Sequence, residues 1–211
     1  MTSDSGLISQ DSDYASHIQK VLNELRQMQQ TPQLVTSPAE LEALEREIRQ
    51  RTDRLGSLLV GHHMQQALDS AALQTEHERL VRQWPKSLKS DGKVKVRVRT
   101  AQGHTVPVWV TYYRRKAQRR SGKRNAGVYA GLVLLGIDDR CPPVLTAEVS
   151  LLAAMLGSLD EAQAVLADRG VALDPKTVRL IAYRYAARAR LEQQIDTAAF
   201  KDTVAGRRDQ Q

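Results

Sequence analysis

Apolar residues in the first third of the chain recur every three or four positions, which is the spacing of one face of an α-helix. The first such stretch begins at Asp13 and ends before Pro32. Its apolar positions are Tyr14, Ile18, Val21, Leu22, Leu25 and Met28. We predict an amphipathic helix here, preceded by a disordered segment over the polar residues 1–12.

A second helix has a pronounced start pattern. Ser37 is placed as the N-cap, Pro38 as the first helical residue and Glu40 as the second half of a capping box. The inner face of this helix carries Leu41, Leu44, Ile48, Leu55, Leu58 and Leu59. Two glycines, Gly56 and Gly61, interrupt the pattern and predict a kink or a break.

The helical spacing resumes after these glycines and continues to Pro85, which ends it. The apolar positions of this part are Met64, Leu68, Leu73, Leu80 and Val81. Residues 13–85 are therefore predicted to form a helical hairpin or coiled-coil arm. Such an arm offers a surface for a homo-oligomer or for a partner subunit.

The apolar period changes to two at Lys93, which is typical of a half-buried β-strand. The alternating residues are Val94, Lys95, Val96, Arg97, Val98 and Arg99. Gly103 predicts a tight turn into a second strand, whose Pro107 cannot donate to a ladder and therefore predicts a sheet edge. The apolar positions of the second strand are Val106, Val108, Val110 and Tyr112. We predict a basic β-hairpin and loop over residues 90–126.

Helical patterns return after the basic loop. The stretch from Gly127 to Gly136 predicts a short buried helix closed by glycine. Thr146 is placed as the N-cap of the next helix, and Ser158 with Glu161 forms a capping box for the one after that.

The last two helices have the layout of a helix-turn-helix. The first of them ends at Gly170, and the second begins with Asp174 as its N-cap and Pro175 as its first residue. We predict a helical, helix-turn-helix-like domain over residues 127–195 and a flexible tail over residues 196–211. The predicted fold class is mainly α with a small β-hairpin.

The charge distribution indicates binding to a polyanion. The chain has a net charge of +7, and no Asp or Glu occurs between Lys93 and Ile137. We expect cations of this segment to contact phosphates. These residues are Lys95, Arg97, Arg99, Arg114, Arg115, Lys116, Arg119, Arg120, Lys123 and Arg124.

The second helix of the pair is the candidate DNA-reading helix. Its apolar positions, which should pack inwards, are Val178, Ile181, Ala182 and Tyr185. Arginine can bind a phosphate or a guanine edge through two hydrogen bonds, so a basic outer face suits the major groove. The predicted contacts on this helix are Lys176, Thr177, Arg179, Arg184 and Arg188.

Short motifs in this region resemble the N-terminal part of DDE-type insertion-sequence transposases. They are GVYAGLVLLGI from Gly127, SLDEA from Ser158, GV from Gly170 and KTV from Lys176. The resemblance implies binding to transposon ends in double-stranded DNA. The catalytic ribonuclease-H-like domain of that family has no counterpart before Gln211, which implies a binding part or split subunit that works with a separate catalytic subunit.

No residue pattern indicates catalysis, a metal or a cofactor. Cys141 is the single cysteine, which argues against a disulfide and against the cysteine zinc motif of some transposases. His62 and His63 are adjacent, so their side chains diverge on a helix and cannot share one metal ion. We therefore expect a protein that is not an enzyme.

Neither a secretory signal nor an apolar stretch long enough to cross a membrane is evident, so we expect a cytoplasmic protein that joins the nucleoid when bound. Two other functions remain open. One is a helical scaffold with a basic docking segment. The other is nonspecific binding of RNA or single-stranded DNA, in which bases stack on Trp84, Trp109, Tyr112 or Tyr113.

Overall fold

The computed structural model describes residues 10–31, 34–84, 88–115 and 127–208. This part of the chain contains seven helices and one two-stranded antiparallel hairpin, which confirms the mainly α fold with a small β-hairpin. The chain divides into two compact units, Met1–Pro142 and Pro143–Gln211. Among the described residues, no helix is both long enough and apolar enough to cross a membrane.

Three helices open the first unit: α1 (Gln10–Gln30), α2 (Pro38–Asp69) and α3 (Ala71–Gln83). Helix α1 packs against α2 and buries Val21 and Tyr14. It begins three residues before the predicted Asp13, so residues 10–12 are helical and the prediction of disorder was wrong for them. Residues 1–9, the rest of that prediction, lie outside the described residues.

The predicted start of α2 is confirmed. The Ser37 hydroxyl accepts a hydrogen bond from the Glu40 backbone N–H at 3.3 Å. The Glu40 carboxylate in turn accepts from the backbone N–H and the hydroxyl of Thr36, at 2.7 and 2.9 Å. These bonds lower the pKa of Glu40. In a standard capping box the Glu40 carboxylate would accept from the backbone N–H of the N-cap, Ser37. Here it accepts from Thr36, one residue earlier in the chain.

Helix α2 runs without interruption through Gly56 and Gly61, so the prediction of a break there was wrong. A Cβ atom at Gly61 would lie 2.7 Å from the Tyr14 hydroxyl oxygen, too close for real atoms. Gly61 therefore allows α1 to approach α2 closely. The helix ends instead at Ser70, whose hydroxyl accepts from the Leu73 backbone N–H at 3.2 Å and caps α3.

We expect Gly61→Ala to destabilise the protein by about 1 to 3 kcal/mol, because the added methyl group overpacks the contact with Tyr14. Gly56→Ala is the matched control on the same helix. Its Cβ would make only ordinary contact with the Gln102 side chain at 3.7 Å, so the gain in helix propensity should stabilise the protein by about 0.5 to 1 kcal/mol. Urea unfolding measures both, and a stabilising Gly61→Ala would contradict the close approach.

The hairpin consists of β1 (Leu88–Arg99) and β2 (Thr105–Arg115), paired in antiparallel register with Val96 opposite Val108. The predicted alternation is confirmed, since Val96 is buried and its neighbours Lys95 and Arg97 are exposed. The buried face of the hairpin belongs to the hydrophobic core of the first unit, and Met64 and Leu68 of α2 pack against this core. The buried core residues are Val96, Val98, Val106, Val108, Val110, Leu132 and Ile137.

The outer edge of β2 is covered by polar groups from other elements. The Gln65 side chain of α2 accepts from the Trp109 backbone N–H at 2.7 Å and donates to the Trp109 carbonyl at 3.3 Å. The Tyr14 hydroxyl donates to the Pro107 carbonyl. Tyr113 exchanges two backbone bonds with Val128, at 2.9 and 2.8 Å. An otherwise open strand edge is thereby paired.

Helix α4 (Ala130–Leu134) confirms the short buried helix that glycine closes. Gly136 has φ 66°, its N–H donates to the Val133 carbonyl, and the Ile137 N–H donates to the Leu132 carbonyl, which together form a Schellman motif. Because Leu132 and Ile137 pack into the hairpin core, α4 belongs to the first unit. The unit boundary after Pro142 thus differs from the predicted one at residue 127.

The second unit contains α5 (Pro143–Met155), α6 (Leu159–Asp168) and α7 (Pro175–Arg208). Thr146 was wrongly placed as an N-cap, because α5 begins at Pro143 and the Thr146 hydroxyl donates to the Pro143 carbonyl at 2.9 Å inside the helix. Of the predicted flexible tail, residues 209–211 lie outside the described residues, and residues 196–208 are helical. They continue α7, since no proline interrupts this alanine-containing stretch.

Candidate nucleic-acid interface

Helices α6 and α7 form the predicted capped pair within the second unit. The Ser158 hydroxyl accepts from the Glu161 N–H at 3.1 Å, and the Glu161 carboxylate accepts from the Gly157 N–H at 3.0 Å. Gly170 ends α6 with φ 81°. The connection is held by apolar side chains, because Val171 and Leu173 are buried. The orientation of α7 relative to α6 is thus set by core packing.

The start of α7 is capped by Asp174. Its carboxylate accepts from the Thr177 backbone N–H at 3.0 Å and from the Thr177 hydroxyl at 2.6 Å. These bonds lower the pKa of Asp174. The Thr177 hydroxyl, predicted to contact DNA, is therefore engaged in the cap. Its structural role is to hold the first turn of the helix.

One face of α7 is buried and the other is exposed. Val178 and Ile181 lie in the core of the unit. That core is completed by Leu145, Val149, Ala162, Leu166, Val171 and Leu173. Tyr185 is 41% exposed, so its predicted inward packing was wrong. Its side chain instead lines an open groove between α5 and α7.

We call the exposed positions at the start of α7 the α7 face. They are Lys176, Arg179, Leu180, Tyr183 and Arg184. Their spacing of three, four, seven and eight residues from Lys176 places them on one side of the helix. Sequence reasoning missed Leu180 and Tyr183, although the same spacing would have found them; Tyr183 is 70% exposed. Arg188, also predicted, is exposed further along α7.

The strand cations form a second surface, within the first unit. Lys95 and Arg97 are exposed on the face of β1 opposite to the buried valines. Lys95 is paired in register with Trp109, and its Nζ atom lies 6.0 Å from the Trp109 ring centroid. Arg99 is half-buried, with its backbone N–H bonded to the Arg140 carbonyl at 2.8 Å. This surface joins positive charge to an aromatic ring.

Residues 93–137 contain no Asp or Glu, but acidic residues from outside this segment neutralise part of its positive charge. Lys93 Nζ lies 2.8 Å from a carboxylate oxygen of Asp69 on α2, and Arg114 lies 3.0 Å from one of Asp91. The predicted block of uninterrupted positive charge is therefore compensated at these two positions. Arg114 remains exposed, as a member of an ion pair rather than as a lone cation.

Several predicted phosphate contacts cannot be placed. Arg115 lies in β2, but its side chain is outside the described residues. Also outside are Lys116, Arg119, Arg120, Lys123 and Arg124.

The described part of the chain contains no group of three or more His, Cys, Asp or Glu residues that could hold a metal ion. The Cys141 thiol is buried, and burial raises its pKa to about 11. A thiol with this pKa stays protonated near neutral pH, so it lacks the thiolate form of a nucleophile.

No family model, curated protein or solved structure matches this chain. The resemblance to insertion-sequence transposases stays a prediction from the short motifs at Gly127, Ser158, Gly170 and Lys176.

Proposed function

We propose that the chain binds double-stranded DNA through the α7 face. The observation that carries the proposal is a capped helix with a buried side and a basic side. Asp174 holds its first turn, Val178 and Ile181 are buried, and Lys176 and Arg179 are exposed. A helix packed in this way is held rigidly while its first turns stay accessible, as major-groove recognition requires.

The α7 face has suitable dimensions and chemistry for a groove. From Lys176 to Arg184 the helix rises about 12 Å, which spans about three to four base pairs. Arg179 and Arg184 can each bind a phosphate or a guanine edge. The exposed Tyr183 ring lies between them in sequence, where it can pack against sugars or base edges. We assign direct reading of bases to Arg179 and phosphate contacts to Lys176 and Arg184.

The strand cations supply further phosphate contacts in this proposal. Lys95 and Arg97 are exposed and adjacent on one strand face, so they can follow a sugar–phosphate backbone. Their contribution should be insensitive to sequence, because contacts to phosphates carry no direct information about bases.

The biological setting that we propose is transposition. The motif resemblance supports a DNA-binding part or split subunit of an insertion-sequence transposase, which recognises transposon ends and cooperates with a separate catalytic subunit. We place it in the bacterial cytoplasm, on the nucleoid when bound.

Arg179→Ala should weaken binding to the preferred duplex by about 1 to 3 kcal/mol while leaving binding to random duplex nearly unchanged, because a base contact is lost. Arg46→Ala removes the same charge from the exposed ion pair with Glu42 on α2 and is the matched control. Affinities are measured over a salt series on random duplex and on the DNA that flanks the gene.

The salt series also separates the outcomes. Tighter binding to the flanking DNA with a steep salt slope supports recognition of transposon ends. An equal loss on every duplex would show that Arg179 contacts only the backbone. Absence of binding at low salt would overturn DNA binding altogether.

A second candidate function is binding of single strands or RNA on the hairpin, favoured by the Lys95–Trp109 pair. Bases could stack on Trp109 while Lys95 and Arg97 hold the phosphates. In that case Trp109→Ala would abolish binding to a single strand and Arg179→Ala would not.

Self-association through α2 is the partner contact that we propose. Leu41, Ile48 and Leu59 are between 40 and 47% exposed on this helix. Their exposed apolar area fits a helix from a second copy or from a scaffold partner. Sedimentation with and without DNA distinguishes a scaffold, which assembles without DNA, from an assembly that needs DNA.

A further inference from the structure

The outer edge of β1 carries backbone hydrogen-bonding groups that point away from the hairpin. Among the described residues β1 pairs with one strand, β2, so its other edge faces outwards. Trp109 shows which residues point that way. Its N–H and carbonyl bond the Gln65 side chain on the outer edge of β2, so Trp109 and its register partner Lys95 share no ladder bonds. The N–H and carbonyl of Lys95 therefore point outwards from β1.

The same alternation continues along β1. The Arg99 N–H points outwards as well, because it bonds the Arg140 carbonyl outside the hairpin at 2.8 Å. Arg97, opposite Pro107 in the register, lies between Lys95 and Arg99 and has the same orientation. Within the described part of the chain, no group outside the hairpin bonds the backbone of Lys95 or Arg97. We call these outward N–H and carbonyl groups of Lys95 and Arg97 the β1 edge.

The two edges of the hairpin are covered differently. Side chains of α1 and α2 bond the outer edge of β2 through Tyr14 and Gln65, whereas the β1 edge is left open to pair with a further strand. Its outward groups recur at every second residue, about 6.8 Å apart, which is also the repeat of an extended peptide. A phosphate offers acceptors only, so a nucleic-acid backbone cannot satisfy the outward carbonyls. A peptide strand is the better match.

The charge of the β1 edge selects among peptide strands. The side chains of Lys95 and Arg97 are exposed, and within the described residues neither forms an ion pair, unlike Lys93 with Asp69. A strand added to β1 places alternate side chains directly opposite these cations, where acidic residues stabilise the pair and basic residues destabilise it. A second copy of β1 would set cations against cations. The edge therefore favours an acidic partner over self-pairing.

The residues between the acidic positions face the other side of the sheet. On that side β1 carries Val94 and Val96, which belong to the hydrophobic core or pack against it. Val94 is only half-buried, so an apolar residue beside it would extend the core. The strand that fits both faces alternates acidic and apolar residues.

We propose that the β1 edge binds an extended segment of another protein in which acidic and apolar residues alternate, and adds it to the sheet as a third strand. Its acidic side chains would lie opposite Lys95 and Arg97. Because the bound segment occupies these cations, it would also exclude nucleic acid from the hairpin. The site is separate from the α7 face and goes beyond the DNA binding proposed for that face.

The test uses the full chain, without DNA, and a peptide with blocked ends in which glutamate and valine alternate. The peptide is about six residues long, the usual length of a strand. The control peptides have the same composition in scrambled order, or lysine in place of glutamate. Hydrogen exchange of the backbone amides reports the contact. We expect the alternating peptide to slow exchange of the Lys95 and Arg97 amides and to leave that of Val96, which bonds β2 in the ladder, unchanged.

Two variants of Arg97 separate charge from backbone bonding. Arg97→Gln removes the charge alone and should weaken peptide binding about 2- to 5-fold, the equivalent of one cross-strand charge pair. Arg97→Pro also removes the outward N–H, which the β1–β2 ladder does not use, and should weaken binding roughly a further 10-fold. A thermal melt checks that both variants fold.

Methylated peptides test the same bond on the unaltered protein. One probe carries N-methyl groups on its glutamates and the other on its valines. A strand pairs with one neighbour through every second amide, so one of the two probes should lose binding and the other should keep it. This test does not depend on how the Arg97 variants fold.

The outcomes decide the proposal as follows. Slower exchange of the Lys95 and Arg97 amides, with loss of binding for one methylated probe, supports strand addition. Binding without slower exchange, or equal binding of the scrambled peptide, would show only ionic attraction and overturn it. Absence of binding at millimolar peptide overturns it as well. Since no DNA is present, none of these results depends on the α7 face.

Discussion

Ile181→Ala is expected to destabilise the second unit by about 2 to 5 kcal/mol, the usual cost of removing a large aliphatic side chain from a packed core. Ile181 is 1% exposed and lies on the buried side of α7. Because domains of ordinary stability unfold at a cost of about 5 to 15 kcal/mol, this single change removes a large part of the total. Urea unfolding, followed by hydrogen exchange in α5, α6 and α7, measures it.

Its neighbour Leu180 provides the control. Leu180 is 42% exposed, so Leu180→Ala should cost less than about 1 kcal/mol. Similar losses for the two variants would contradict the assignment of the buried side. The α7 face would then be wrongly placed, and the proposed DNA contacts with it.

Gln65→Ala is expected to destabilise the first unit by about 2 to 4 kcal/mol. Gln65 is 1% exposed, and its amide bonds both the N–H and the carbonyl of Trp109. Removing it leaves two backbone groups without partners, and each unpaired buried group costs about 1 to 3 kcal/mol. Gln66→Ala, at an exposed position on the same helix, should have little effect.

Gln65→Met separates hydrogen bonding from volume, since methionine nearly fills the same space without an amide. Hydrogen exchange gives a local measure. We expect faster exchange of the Trp109 amide in Gln65→Met than in the unaltered protein. Unchanged exchange together with unchanged stability would show that Gln65 merely fills space.

Local patterns predicted much of the secondary structure. The caps at Ser37, Ser158 and Asp174 were found from sequence because each depends on residues no more than three positions away. The strand alternation around Val96 and the glycine that closes α4 were found for the same reason. Short-range chemistry is visible in a single sequence.

The features that sequence reasoning missed depend on distant residues. The role of Gly61 follows from the Tyr14 ring, and the Asp69–Lys93 ion pair joins α2 to the hairpin. No residue near Gly61 or Lys93 in the sequence indicates that their partners are Tyr14 and Asp69. The exposure of Tyr185 likewise depends on how α5 and α7 pack.

The candidate site was predicted in part. Periodicity placed Lys176, Arg179 and Arg184 on the exposed side of α7, where the structure also has them. It could not show that the Thr177 hydroxyl is used by the cap, since both roles suit a threonine at that position. It also gave no indication of the cavity that His77 and Tyr113 help to line, whose walls come from α2, α3, α4, β1 and β2.

The covering of the β2 edge by Gln65 and Tyr14 has a practical consequence for expression of fragments. A piece that begins at β1 would keep both strands and lose the side chains that saturate the outer backbone of β2. Bare strand edges recruit other strands, so such a piece should form insoluble aggregates. Fragments for biophysical work on the hairpin should therefore start before Tyr14.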